Sequence, residues 1–472
     1  MTKSDRIKQL KSGLKNTKAQ LKRREAKIAR LEARNSQLEA EVKKKRERQT
    51  YGAKSEEYYK TIPGHQFSEF VVQFATKIRC ATNTSPRDII KILEILADFT
   101  FGLVDKLPSH NTIDNWVRKC GLDEINQTPK ALNDNNYAMI IDECMMIGSQ
   151  KLLTLISVPA EHQGRPLQLD DAKVVGFEVQ TTWNAEKVEK VLEKSEGIMG
   201  KAAKYVISDN DAKMRKAIKS SNFTWHRDVS HTLALFMERV YKHDAEFTEF
   251  FNKMAVCKKQ CCMKDVAYLQ SPSQRCKAKF MNLEESVNWA YKMLQLYHKL
   301  TALEKEVFSF LPAYASFIDE MQDIVSCVHF IEKEMKHNGL SKNTIAKCRM
   351  HINATIMCGN ERMRRVGTCF LSYLSEEYGL LKDAEIVNNS SDLIESTFGI
   401  FKYIQSPNKL NGVTTLVLHL PVILSLAGKS NSKRYNVKER LCRTRIKDIT
   451  LWRDKHLMEN LVAKRIKTLK TA

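Results

Sequence analysis

The run YAMIIDECMM, from Tyr137 to Met146, is almost wholly apolar and is broken near its middle by Asp142 and Glu143. QKLLTLISVPA follows from Gln150, and DAKVVGFEVQTTW from Asp171. None of the three alternates strictly between apolar and polar residues, which fits strands of a sheet covered on both faces. NAEKVEKVLEKSEGIMG, from Asn184, then reads as an amphipathic helix. KYVISDNDAKMRKAIKS, from Lys204, reads as a strand passing into a helix at its acids, and FTWHRDVSH, from Phe223, as a short fifth strand. Three hairpin-linked strands, helix, strand, helix, strand is an α/β order. It predicts a mixed five-stranded sheet sandwiched by helices.

A carboxylate inside an apolar strand is costly unless a cation or hydrogen bonds compensate it. Asp142 is such a residue, and Asp209 stands at the C-terminal end of the fourth strand, where ligands of α/β sheets collect. Two carboxylates from neighbouring strands suit hard divalent ions, with water completing the shell. Each acid also has a plain reading, Asp142 at a bulge and Asp209 capping the next helix. A third acid comes from NNSSDLIESTFGIFKYIQS, where Ser390 or Ser391 caps a helix with Ile394, Phe398 and Phe401 on its apolar side. Glu395 lies near the start of that helix, seven positions before Lys402 and on nearly the same face, with Asp392 as a rival. A carboxylate and a lysine so arranged suit a metal and a phosphate. Between these stretches, WHRDVSHTLALF sets Asp228 and His231 three residues apart at a strand–helix break. The pair reads as a metal pair, an acid–base pair or a helix cap.

The net charge of +22 is unevenly held. Residues 1–50 carry 17 Lys or Arg against 6 Asp or Glu, and residues 429–472 carry 14 against 4. The body between is nearly neutral, with 46 against 45. Basic arms on a balanced body point to a polyanion, most often nucleic acid. In the first arm Ile7, Leu14, Leu21, Ile28, Asn35 and Val42 fall at heptad a positions, so residues 1–50 are expected to form a basic, dimerising coiled coil. Residues 51–130 follow as a helical module. Ser85 and Pro86 start one helix, and Ser109 caps a second that Gly121 ends, with Ile113, Trp116 and Val117 as its buried stripe. The pair resembles a helix-turn-helix whose second helix turns His110, Asn111, Asp114, Asn115 and Arg118 outward toward a DNA groove.

At these residues the sequence resembles the DDE/D transposases with an RNase H-like core, over roughly residues 80–425. Asp142, Asp209 and Glu395 match their three acids by strand and helix context, and Glu395 to Lys402 matches a spacing frequent among them. Asp228-Val-Ser-His231 matches the C/D-x-x-H motif of the Mutator-like and hAT-like members, which also carry a large helical insertion before the last Glu. One bacterial insertion-sequence subgroup has Tyr and Arg before that Glu, and here Asn388 and Ser391 stand instead. The resemblance implies a catalytic core over 131–231 and 386–428, a helical insertion over 232–385 and a basic tail over 429–472. It implies cleavage of transposon ends and transfer of the freed 3′-hydroxyl into target DNA. Asp142, Asp209 and Glu395 would hold two Mg²⁺ ions, with Mn²⁺ as substitute, and no small-molecule cofactor is expected. Asp228 and His231 would support that site. Double-stranded DNA is the implied partner, with a homodimer or higher even oligomer as the assembly.

Other features carry less. Arg275 and Lys277 sit in a loop that either touches DNA phosphates or is a solvated turn. Cys257, Cys261, Cys262 and Cys276 are close in sequence but lack the spacing of a zinc knuckle. No run of 18 apolar residues appears, so no membrane span is expected, and the N-terminal residues lack the apolar stretch of a secretory signal. A cytoplasmic, nucleoid-associated protein is the expectation in a prokaryote, a nuclear one in a eukaryote. The alternatives are a DNA-binding regulator with a bZIP-like basic coiled coil and an RNase H-like nuclease that does not transpose.

Overall fold

The computed structural model describes residues 21, 24, 25, 27, 28, 31, 35, 59–82, 84–100, 102–132, 136–274, 279–405, 408–427 and 435–471, without the side chains of 144–146, 279, 409 and 471. Two compact units are present, Met1–Lys60 and Thr61–Ala472. In the first, the described residues between 21 and 35 are helical, among them Leu21, Ile28, Leu31 and Asn35 of the heptad pattern. Most of that pattern lies outside the described residues.

The second unit is mostly helical and contains one five-stranded sheet. Its strands are β1 (Tyr137–Ile147), β2 (Gln150–Pro159), β3 (Lys173–Gln180), β4 (Val206–Ser208) and β5 (Trp225–Arg227). They lie in the order β3-β2-β1-β4-β5. β1, β2 and β3 pair antiparallel, while β4 runs parallel to β1 and β5 parallel to β4. The expected mixed sheet and its helices are therefore present. The register of β1 on β2 shifts between Asp142 and Met145, so the acid does stand at a bulge.

Among the described residues of this unit, three helices precede the sheet: α1 (Glu69–Ala81), α2 (Pro86–Phe99) and α3 (His110–Ala131). Ser85 and Ser109 cap α2 and α3 as their sequences require, accepting from Asp88 N and Thr112 N. α4 (Ala185–Met199) is capped by Asn184 and ends at Gly200, whose φ is 69°. α5 (Ala212–Ser220) and α6 (Val229–Tyr241) follow β4 and β5. Seven helices come between β5 and the Glu395 segment: α6 itself, α7 (Ala245–Met263), α8 (Leu283–Leu296), α9 (Ala302–Val307), α10 (Ala315–Asn338), α11 (Lys342–Ala354) and α12 (Glu361–Leu380). Among the described residues this stretch contains no strand of the sheet, in keeping with a helical insertion. The chain returns in α13 (Asp392–Ile404) and α14 (His419–Ala427), and ends in α15 (Val437–Arg443), α16 (Ile446–His456) and α17 (Leu461–Thr471).

The sequence places the end of the second helix at Gly121, and here the structure differs. α3 runs ten residues further, to Ala131. Gly121 is fully enclosed because the backbone of Leu418 crosses it: a Cβ there would stand 1.7 Å from the Leu418 carbonyl oxygen. The glycine serves a close helix approach rather than a helix end. α3 also packs on α1, α14, α15 and β3, and one apolar core joins Ile113, Trp116 and Val117 to Val422, Leu426, Val437 and Leu441. Helices that precede the sheet and helices that follow α13 thus share one core. Arg440 and Arg443 of α15 reach back to Glu124 and Asp123 on α3, the second pair at 2.7 Å. Part of the basic tail is accordingly spent within the fold.

Candidate active site

β1 and β4 pair Met139 with Val206 and Ile140 with Ile207. Extending that parallel register by two residues sets Asp142 level with Asp209, at the C-terminal end of β4. Asp142 is half-buried, and Glu143 beside it is bound instead by Lys151 at 2.6 Å and by Lys213. Asp209 is not the cap of α5. That cap is Asp211, which accepts from Lys213 N at 2.8 Å, while Asp209 Oδ1 accepts from Asp211 N at 3.1 Å. Burial raises the Asp209 carboxyl above the usual carboxylate range, and the charges of Asp211 and Asp228 add to it against the pull of the Asp211 amide and His231.

Asp228 is fully buried at the start of α6. Its Oδ1 accepts from His231 N at 2.7 Å and from His231 Nδ1 at 2.9 Å. Its Oδ2 accepts from Ser391 N at 2.6 Å and from Ser391 Oγ at 2.9 Å. Burial alone would raise this carboxyl. The bonds and charge of His231, with the Ser391 amide, hold it below the usual range. On the other side of the imidazole, Nε2 donates to Glu395 Oε1 at 3.3 Å. Burial opposes the charge on His231, but its two carboxylates win and push its pKa up to about 11. His231 is therefore an imidazolium between Asp228 and Glu395. The sequence left three readings of the Asp228–His231 pair, and the structure shows a cap that is also an ion pair.

Glu395 stands in the first turn of α13, which lies against β1, the strand of Asp142. Lys402 is exposed two turns further along the same helix. Asp392, the rival acid, is paired instead with Lys336 of α10 at 2.6 Å. Asp209, His231 and Glu238 also line an open cavity of about 620 Å³, walled by Phe247 and Phe280 of the helical insertion.

Several of these supports have no local signature in the sequence. Asn388 donates its amide to the Tyr205 hydroxyl and its side chain to the Pro159 carbonyl, both at 2.9 Å. With Ser391 it threads the returning chain across the sheet, so the two positions that depart from the subgroup pattern both make contacts that hold Glu395's helix. Glu377 of α12 is fully buried and accepts from His226 at 2.8 Å and from Arg227 at 3.0 Å, fastening the insertion to β5. Lys336 lies between Glu332 and Asp392, whose charges outweigh burial and raise its pKa.

The expected outward face of α3 holds only at its beginning. Asn111 is exposed, but Asn115 and Arg118 are half-buried and bonded to one another at 3.1 Å, and Asp114 is tied to Arg79 at 3.3 Å. Arg275, Lys277 and Cys276 lie outside the described residues. Cys257 and Cys261 are buried with their sulfurs 3.9 Å apart, while Cys262 is exposed.

Carboxylate oxygens are the donors that hard divalent cations take, and a nearby cation would oppose the raised pKa of Asp209. Among the described residues, no three His, Cys, Asp or Glu side chains form a group that could hold a metal ion as they stand. Among the described residues, no helix is long and apolar enough to cross a membrane. The chain matches no known protein-family model and no curated protein.

Proposed function

We propose that this protein is a DNA transposase built on an RNase H-like core, which cuts phosphodiesters at element ends and joins the freed 3′-hydroxyl to target DNA. The reading rests on the Met139–Val206 and Ile140–Ile207 pairs, whose register continued past Ser208 would bring Asp209 level with Asp142, and on the His231–Glu395 contact at 3.3 Å. The sheet order, and a helical stretch lying between Asp228 and Glu395, support it further.

Asp142, Asp209 and Glu395 would hold the metal. Two divalent ions, Mg²⁺ or Mn²⁺, when bound, supply positive charge at the attacking and leaving oxygens of an in-line displacement. The protein's own residues fix the geometry. Asp228 keeps His231 protonated and oriented, and His231 holds the Glu395 carboxylate toward the sheet. Lys402, on the Glu395 face of α13, is suited to a DNA phosphate. Leu21, Ile28 and Leu31 of the heptad seam are more than half exposed in the single chain, as the seam of a coiled-coil dimer would be before pairing.

The test is incubation with DNA carrying candidate ends and Mg²⁺ or Mn²⁺, scoring nicks and joined products on gels. Asp142→Ala and Asp209→Ala should bind DNA and cut none. Tight binding without metal-dependent cleavage on any end would sink the enzyme reading and favour a regulator. Cutting without joining would leave a nuclease.

A further inference from the structure

The insertion holds two kinds of arginine on one helix. Arg362 of α12 is surrounded by carboxylates: Asp244 at 3.2 Å, Glu246 at 2.7 Å and Glu320 at 2.6 Å. Arg364 and Arg365, a few residues along, are exposed and line an open cleft of about 370 Å³ together with Arg239 of α6. Among the described residues none of these three takes part in an ion pair. Arg364 donates to the Gly359 carbonyl at 2.7 Å, and Arg239 lies over the Phe236 ring at 5.2 Å. One acid, Glu361, borders the cleft, and so does Thr368, whose hydroxyl donates to the Arg364 carbonyl at 2.8 Å.

Three guanidinium groups with one carboxylate, Glu361, among them leave an excess of positive charge whose self-repulsion lowers stability. Two of them also sit early in α12, the end of a helix where cations are disfavoured. The fold gives Arg362 three carboxylate partners and leaves Arg239, Arg364 and Arg365 without an ion pair among the described residues. From this we infer that the α6–α12 cleft binds the phosphate backbone of duplex DNA. Guanidinium forks match phosphate oxygens. α6 ties the cleft to the catalytic acids: His231 begins the helix, and Arg239 lies eight residues on, about 12 Å along its axis. That is the axial length of three to four base pairs at about 3.4 Å each. The cleft would therefore grip a duplex a few base pairs from the bond being cut. This inference rests on the transposase reading.

The experiment uses the full chain in EDTA, where no metal-dependent cutting occurs, and a fluorescein-labelled duplex read by anisotropy between about 50 and 200 mM NaCl. Arg239→Ala, Arg364→Ala and Arg365→Ala combined should weaken binding by at least about tenfold and reduce the slope of log affinity against log salt by about 2 to 3. The same three positions changed to Lys should keep most of that slope, and this variant serves if the alanine protein fails to fold. An unchanged slope in the folded alanine variant, beside a wild type that binds, overturns the inference and leaves the transposase reading standing. A wild type that binds no duplex overturns both. Labelled polyglutamate is the second probe: loss of its binding with DNA binding intact would assign the cleft to an acidic protein and overturn the DNA site.

Discussion

Asp228 and Ser391, 163 positions apart, meet at one carboxylate oxygen, which accepts both the Ser391 amide and its hydroxyl. The other oxygen caps α6 and holds His231. One buried side chain thus joins the two halves of the sheet unit across the whole insertion. Asn caps helices about as well as Asp, so Asp228→Asn keeps the cap and removes the charge. An imidazolium and two Ser391 donors are then left facing an amide that can satisfy only some of them. The expected loss is about 3 kcal/mol in urea unfolding, the scale for breaking a buried charge pair. A loss below about 1 kcal/mol would show that Asp228 is a cap alone.

Gly121 and Gly197 separate helix propensity from packing. Both lie in helices, where Ala is favoured over Gly by about 1 kcal/mol. A Cβ on Gly197 meets nothing within 4 Å, so Gly197→Ala should stabilise by about 0.5 to 1 kcal/mol. At Gly121 the Leu418 carbonyl blocks the same atom, and Gly121→Ala should cost about 3 kcal/mol or more by forcing α3 and α14 apart. Thermal unfolding of the two variants should shift in opposite directions. Equal shifts would refute the close approach.

His419 gives the fold a pH dependence. It is buried on α14 beside Arg79 and Arg118, with neither ring nitrogen hydrogen-bonded and Asp114 no nearer than 3.7 Å. Burial, then the two arginines, lower its pKa well below the ordinary 6.5. The folded state keeps the ring neutral while the unfolded chain takes up a proton below 6.5, so stability is full above that pH and falls as the pH drops beneath it. The slope should approach about 1.4 kcal/mol per pH unit for this one group. His419→Phe should flatten the difference between unfolding midpoints at pH 7.5 and 5.5. An unaltered difference would place the acid sensitivity elsewhere.

Local pattern carried much of this fold. The strands, the caps at Ser85, Ser109 and Asn184, and the acids at a bulge and a strand end each depend on neighbours in sequence, and their spacing was enough to read them. Gly121 shows the limit. In sequence a glycine after an apolar stripe is a stop signal, and what removes the stop is the Leu418 backbone, almost 300 positions later. The outward face assigned to α3 failed at Arg118 for the same kind of reason, because it lies beside Arg79 of α1 and His419 of α14, both distant in sequence. His231 was legible as a partner of Asp228 three residues away. Its bond to Glu395 was not, since it depends on how the chain returns from the insertion.

Asp209 supplies the last test, in which stability and metal binding should move oppositely. Its raised pKa means that the fold disfavours the charged carboxylate, so at neutral pH the ionised side chain lowers stability. Asp209→Asn in EDTA should therefore be more stable than the wild type, by about 1 kcal/mol, as expected for a residue retained for function against stability. Mn²⁺ should reverse the order. A ligand at 100 times its dissociation constant adds about 2.7 kcal/mol to the form that binds it, so the wild type should gain this much and Asp209→Asn little. Asp142→Asn should lose the same metal-dependent rise. An Asp209→Asn protein less stable than the wild type in EDTA, or one that keeps the full rise with Mn²⁺, would mean that Asp209 is a structural acid and that the metal reading is wrong.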